Sequence, residues 1–228
     1  MRRSLSSAGI ALALALAFMP ASVSAQFAIA PKIGSTGAGA DVAISLGESL
    51  VVRGGFGVVP IDINFDAGDI NFDFTAPNFM TVGVDFYPSG SFRLMAGALI
   101  RQGDFELAGT TSGSFTIGDV TYTQGGTVSG AVTNSSTSPF VGIGFGKHTN
   151  PGLGFFLDLG VAFTGDPSVT LDASQNLKDI PGFTAELRKE EAKIQADLRG
   201  EGDGSYVDAP KLNLWPFLQI GLKIGLGG

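Results

Sequence analysis

The sequence predicts an all-β protein, an antiparallel up-and-down transmembrane β-barrel with one amphipathic helix in a long loop. The first observation is an export signal, with Arg2 and Arg3, an apolar run over Ala8–Met19 and the small-residue cleavage pattern Val23-Ser24-Ala25. The second is a positive mean hydropathy of +0.28 without any later apolar run of the roughly 20 residues that a spanning helix needs. The third is a set of segments in which apolar residues recur at every second position.

Composition limits the classes of function. Residues 1–25 are predicted to be a signal peptide and residues 26–228 a single outer-membrane barrel domain. Without Arg2 and Arg3 the mature chain has 12 basic and 21 acidic residues, a net charge of −9, which argues against nucleic acid as a partner. The chain contains no cysteine, so disulfides and thiol nucleophiles are excluded. No cofactor is expected.

Seven segments alternate clearly between apolar residues on one face and small or polar residues on the other. They cover residues 34–46, 51–59, 81–87, 92–101, 140–147, 155–163 and 216–226. The face opposite the apolar residues carries glycine and a few isolated charges, whereas a soluble sandwich would carry many polar side chains there. This composition indicates a narrow lumen.

Bacterial barrels of this type have an even number of strands, so we predict eight. The missing strand comes either from the mature N-terminus or from a division of residues 127–147 at Asn134-Ser135-Ser136.

The links between the segments fall into two classes. Residues 47–49, 88–91 and 148–152 are short and rich in turn formers, while residues 60–75, 104–137 and 165–210 are long and mostly acidic. This pattern is typical of short periplasmic turns and long outer loops. A helix is predicted from about 183 to 199, with an apolar stripe of Phe183, Leu187, Ile194 and Leu198. We expect it to pack on the barrel rim, with partner or membrane-surface binding as the alternative.

Seven charged residues share the inward face of the predicted strands. We expect them to form a salt-bridge network that fills the lumen, since eight strands enclose a space that side chains just fill; a substrate or proton path is the alternative. The residues are Asp41, Arg53, Asp85, Arg93, Arg101, Asp158 and Lys223.

A five-residue repeat in the first long link predicts a hairpin that extends beyond the membrane. Its alternating acids and amides could also ligate a hard cation such as calcium. The residues are Asp62, Asn64, Asp66, Asp69, Asn71 and Asp73. The sixth position of an EF-hand loop requires glycine and here is Ala67, so the strand interpretation is preferred.

Catalysis has little support in the sequence. The one histidine, His148, falls in a short link predicted to face the periplasm, beside Lys147 and Thr149. These neighbours provide no oriented nucleophile and base, so we expect no enzyme activity.

Taken together, the signal peptide, the alternating strands, the segment Lys32–Asp41 and the final segment Trp215–Leu226 resemble small Gram-negative outer-membrane β-barrels, broadly the OmpA-like and OmpW-like groups. The resemblance implies outer-membrane lipid, lipopolysaccharide and the barrel assembly machinery as partners. Such barrels usually end on an aromatic residue that the assembly machinery reads, and here Leu226 takes that place.

Three functions are compatible with the sequence. The first is a structural or surface-interaction barrel with an unidentified surface ligand. The second is a porin-like narrow channel or transporter for small or apolar solutes, which the inward glycines favour because they leave free volume. The third is a soluble exported β-sandwich that binds a ligand, which the extent of the apolar outward faces disfavours.

Overall fold

The computed structural model describes residues 26–59, 63–67, 70–148, 150–204 and 213–226. The predicted signal peptide, residues 1–25, lies outside the described residues. Within them, no helix is long and apolar enough to cross a bilayer.

Eight antiparallel strands close into a barrel in the order β1-β15-β13-β12-β7-β6-β3-β2. Their bounds are β1 Phe27–Gly34, β2 Gly37–Ser45, β3 Leu50–Val58, β6 Asn78–Ser89, β7 Phe92–Gln102, β12 Thr137–Phe145, β13 Gly152–Phe163 and β15 Leu214–Leu226. The first and last strands pair directly, with Phe27 opposite Leu226 and Gly34 opposite Gln219. Closure leaves no free edge in this sheet, and it shows that the sandwich alternative is wrong.

The predicted count of eight is confirmed, and β1 is the strand that the alternation did not identify. Its outward residues include Ile29 and Ile33, and its inward residues are Ala28, Ala30 and Lys32. Because two of the three inward residues are alanines, the contrast between the faces is weak. The chain also divides near Asn134, but the strand before that point belongs to a second sheet.

The outward face of the barrel is apolar on every strand. Phe155 is 78% exposed, Ile33 59% and Ile220 53%. None of the outward positions in the eight barrel strands carries a charge. A surface of this extent and composition is typical of a barrel surrounded by lipid.

A second sheet of five strands stands beyond the barrel, in the order β14-β11-β8-β5-β4. It is built from the three long links: β4 Ile63–Ala67, β5 Ile70–Thr75, β8 Phe105–Thr111, β11 Gly126–Thr133 and β14 Ser168–Ala173. A separate hairpin joins β9 Phe115–Ile117 to β10 Val120–Tyr122. We call the five strands the outer sheet. The barrel end from which it rises is the loop end, and the end at which β1 begins and β15 ends is the turn end.

The predicted helix is confirmed as α2, Phe183–Leu198, which follows the short helix α1, Gln175–Lys178. Its buried stripe of Phe183, Leu187 and Leu198 matches the prediction. It packs on the outer sheet and the β9–β10 hairpin, and not on the barrel rim as expected.

Helix α2 also protects one of the two edges of the outer sheet, the edge formed by β14. Gln195 accepts a hydrogen bond from the Val169 backbone N–H at 2.8 Å and donates one to the Pro167 carbonyl at 2.7 Å. Glu191 accepts one from the Leu171 N–H at 2.7 Å. Unpaired backbone groups on an edge strand invite intermolecular pairing, so these side chains complete the edge of β14.

Replacing Gln195 with Leu should expose the Val169 N–H to solvent, because it removes the side-chain oxygen that accepts from this group. We expect its amide hydrogen exchange to speed up by an amount that corresponds to about 1–3 kcal/mol of local opening free energy. Exchange mass spectrometry of the segment over β14 would measure this. Lys189→Leu, on the exposed part of the same helix, is the control, and equal acceleration in both variants would contradict the edge-protection role.

Candidate functional site

Six charged side chains meet inside the barrel, nearer the turn end. We call this set the charge layer, and it consists of Lys32, Asp41, Arg53, Asp85, Arg93 and Asp158, all of them 6% exposed or less. Each lies at an inward position of its strand, so the two-residue period of the strands places all six in the lumen.

Arg53 lies at the centre of the charge layer and contacts all three carboxylates. One terminal nitrogen lies 2.6 Å from Asp158 and 3.4 Å from Asp41, and the other lies 3.5 Å from Asp85. A planar guanidinium with several donors suits this arrangement better than a lysine would. Arg53 therefore joins the inward faces of three other strands to β3.

Arg93 and Lys32 complete the charge layer. Arg93 lies 3.3 Å from Asp85 through Nε, and it also contacts Asp158 and donates to the Gly146 carbonyl. Lys32 lies 2.6 Å from Asp41. Three cations thus balance three anions, which is the condition under which buried charges are tolerated.

The structure places two of the seven expected residues elsewhere. Arg101 lies near the loop end, where it pairs with Asp104 at 2.5 Å and donates to the Asn134 carbonyl at 2.7 Å. Lys223 lies near the turn end and donates to the Asn150 carbonyl. Lys32 was missed because β1 was not recognised as a strand; extending the alternation back from Ile33 to Phe27 would have placed it inward.

An apolar layer fills the lumen between the charge layer and the loop end. Phe140 and Phe217 stack with ring centroids 4.9 Å apart. The ring centroids of Phe79 and Trp215 lie 5.8 Å apart. We call this set the apolar layer; its buried members are Phe79, Met95, Leu99, Phe140, Ala162 and Phe217. Beside Arg101 and Trp215 a cavity of about 20 Å³ remains, which is room for one water molecule.

The inward glycines do not leave the free volume that the sequence suggested. An added Cβ would lie 2.8 Å from the Phe140 ring at Gly97, 3.0 Å from the Met95 methyl at Gly142 and 2.6 Å from the Arg93 Nε at Gly144. Large side chains from neighbouring strands therefore occupy the space above these glycines. The glycines provide close packing, and the observation that favoured a channel is removed.

His148 lies in the short link between β12 and β13, as expected, and its side chain is buried there. It is 1% exposed, its Nδ1 lies 3.1 Å from the Tyr87 hydroxyl, and its backbone N–H donates to that hydroxyl at 3.1 Å. Burial, together with the nearby charges of Arg93 and Arg53, lowers the pKa of His148 to about 2. The imidazole is therefore neutral, and it packs beside Phe156 at the turn end.

This burial predicts a pH dependence of stability. The pKa of His148 is lower in the folded state than its ordinary 6.5, so the unfolded chain binds the extra proton as pH falls. The buried neutral His148 therefore contributes to the free energy of unfolding in full above pH 6.5. This contribution is lost progressively below that pH, by about 2 kcal/mol between pH 6.5 and 5. Urea unfolding at several pH values should show this loss in excess of that in His148→Gln; parallel pH profiles would contradict it.

The predicted hairpin is confirmed, with Asn64 opposite Asp73 and Asp66 opposite Asn71 across β4 and β5. Asp62 and Asp69 lie outside the described residues. Extended strands hold the other four positions, and this geometry differs from the curled loop of an EF-hand. Within the described ranges, no group of three or more His, Cys, Asp or Glu could hold a metal ion.

Comparison with known proteins places this architecture among solved structures. No protein-family model matches the chain, and no curated protein matches it significantly. The crystal structure of CarO2 from Acinetobacter baumannii matches with a TM-score of 0.54 at 17% identity, covering 88% of this chain and 98% of CarO2. CarO from the same species matches with a TM-score of 0.50 at 19% identity, covering 87% and 97%. The chain therefore shares with these two proteins the fold of an eight-stranded barrel of the outer-membrane type.

Proposed function

We propose that this protein resides in the outer membrane as a closed barrel with a structural or surface-interaction role, and not as an open pore. The observation that carries the proposal is the continuous filling of the lumen by the charge layer and the apolar layer. A solute that crossed would have to separate buried ion pairs and also displace stacked aromatic rings, and both steps carry a large free-energy cost.

The location and orientation rest on the outer surface of the barrel. The outward positions of the barrel strands are uncharged, which suits lipid contact at every strand. With the short links in the periplasm, the outer sheet and helix α2 would face the cell exterior. Outer-membrane lipid and lipopolysaccharide would then be the direct partners, and the barrel assembly machinery would act on the C-terminal strand β15.

Two measurements on one preparation test this proposal. The full chain, with its signal, is expressed in a Gram-negative host, and the outer-membrane fraction is run on SDS gels with and without boiling. A faster-migrating unboiled band in that fraction, and no single-channel conductance in planar bilayers, are the expected results. Recovery as a soluble periplasmic protein would overturn the location.

Stable, stepwise conductance from the folded protein would overturn the closed lumen and favour the channel alternative. In that case the variant Arg101→Ala is the control for the charge layer, because Arg101 lies outside it. Conductance through a path past the ion pairs should respond to Arg53→Met much more than to Arg101→Ala.

A further inference from the structure

The outer sheet contains an apolar cavity of about 250 Å³ on the face that helix α2 covers only in part. Its floor is formed by Ile70 and Phe72 of β5, Leu107 and Gly109 of β8, and Val128 and Gly130 of β11. The register confirms a single face, since Phe72 lies opposite Gly109, and Gly109 lies opposite Val128. Phe115 and Ile117 of the β9–β10 hairpin supply one wall.

The walls of the cavity are fixed by the packing around α2. Phe115, Ile117, Val128 and Leu171 each pack against the buried cluster that contains Tyr122, Leu177, Phe183 and Leu187. Rings within that cluster meet edge to face, as for Tyr122 and Phe183 at 5.0 Å. A packed core therefore borders the side of the cavity formed by these four residues.

Two glycines set the shape of the floor. An added Cβ would lie 2.9 Å from the Phe72 ring at Gly109 and 3.0 Å from a Leu171 methyl at Gly130. Neither glycine has a positive φ, so conformation alone does not require glycine at these positions. Their absent side chains let Phe72 and Leu171 lie against the sheet, which keeps the space above the floor open.

The lining determines what the cavity could hold. None of its residues is charged, and its polar side chains belong to Thr111, Thr116 and Ser129. The Thr111 hydroxyl already accepts a hydrogen bond from the Gly113 N–H at 3.1 Å. A charged ligand would lose its hydration without gaining an ionic partner, whereas apolar atoms would be transferred favourably.

We propose that this cavity is a binding site for one small, neutral, predominantly apolar molecule. A volume of about 250 Å³ holds roughly eight groups the size of a water molecule, and it lies just below the usual range for drug-sized ligands. This volume suits one small molecule. The ligand would reach the outer sheet from the solvent side and would not pass through the lumen, so the proposal does not depend on whether the barrel conducts.

Photolabelling with octanol that carries a diazirine group tests the site. The full protein is reconstituted in lipid nanodiscs, irradiated with the probe and digested, and the labelled peptides are identified by mass spectrometry. The expected result is saturable labelling of the peptides that contain Leu107 or Val128, with protection by excess unlabelled octanol. Labelling confined to outward positions of the barrel strands, with no saturation, would overturn the proposal.

Three variants make the test specific. Gly130→Leu and Leu107→Trp fill the cavity from two different strands, and each should reduce the saturable labelling at least tenfold. Ala131→Leu adds the same side chain to the opposite face of β11 and should leave labelling unchanged. The heat-modifiable gel shift shows that each barrel is folded, and labelling of both filled variants at the wild-type level would contradict the site.

Discussion

Replacing Arg93 with Met should lower the free energy of unfolding by about 3–5 kcal/mol, the usual cost of removing one partner from a buried ion pair. Arg93 is completely buried, and its loss leaves Asp85 and Asp158 with Arg53 as their remaining cationic partner in the charge layer. Met occupies similar space without charge, so the variant separates the electrostatic contribution from packing. Urea unfolding in lipid vesicles, followed by tryptophan fluorescence of Trp215, provides the measurement.

The same strand supplies a matched control. Arg101 is also an inward arginine of β7, but its partner Asp104 has a side chain that is 38% exposed. Arg101→Met should therefore cost less than Arg93→Met, because the carboxylate that it leaves behind stays in contact with water. Similar losses in the two variants would show that the charge layer has no special contribution.

Restoring charge balance in the charge layer should recover part of the free energy of unfolding that Arg93→Met loses. In the double variant Arg93→Met/Asp85→Asn, two cations again face two anions, because Asp85 no longer needs a partner. We expect a coupling energy of about 0.5–3 kcal/mol between the two substitutions. Retained stability together with new conductance in Arg93→Met alone would instead support a gated path through the lumen.

The sequence predicted those parts of the fold that depend on local patterns. Strands such as β15 alternate strictly, with Leu218, Ile220 and Leu222 outward and Gln219 and Lys223 inward, so the two-residue period alone identifies them. Helix α2 was found in the same way, from its apolar stripe and the glycines that flank it. The alternation of inward and outward positions along the strands also placed five of the six charge-layer residues in the lumen.

The outer sheet was not predicted, apart from its hairpin, because its pairings are distant in the chain. Strand β11 pairs with β8 and with β14, about 20 and 40 residues away, and its residues Gly126–Thr133 are mostly small and intermediate in burial. Such a strand has no clear polar and apolar face, so its pattern does not specify a register. The cavity in that sheet, which three of the long links build together, could not be inferred without the pairing.

Replacing Ile220 with Arg should lower the stability of the folded barrel in a bilayer by about 2–4 kcal/mol, the cost of a cation on the lipid face near mid-depth. Ile220 is at the middle of β15, is 53% exposed, and lies opposite Leu157 on β13 and Ile33 on β1. A side chain that is this exposed loses little packing, so the penalty reports its surroundings. The measurement is urea unfolding in vesicles, with the folded fraction read from the gel shift.

Val120→Arg is the matched control, because Val120 is a similarly exposed aliphatic residue, 39% exposed, on β10 outside the barrel. Water surrounds that position in the proposed orientation, so the expected change is within about 0.5 kcal/mol. If Ile220→Arg were as harmless as Val120→Arg, lipid would not surround β15, and the apolar outward belt would have to be covered by protein. A loss confined to Ile220→Arg would assign the belt to the membrane, because the same substitution differs between the two sites mainly in the solvent that the arginine meets.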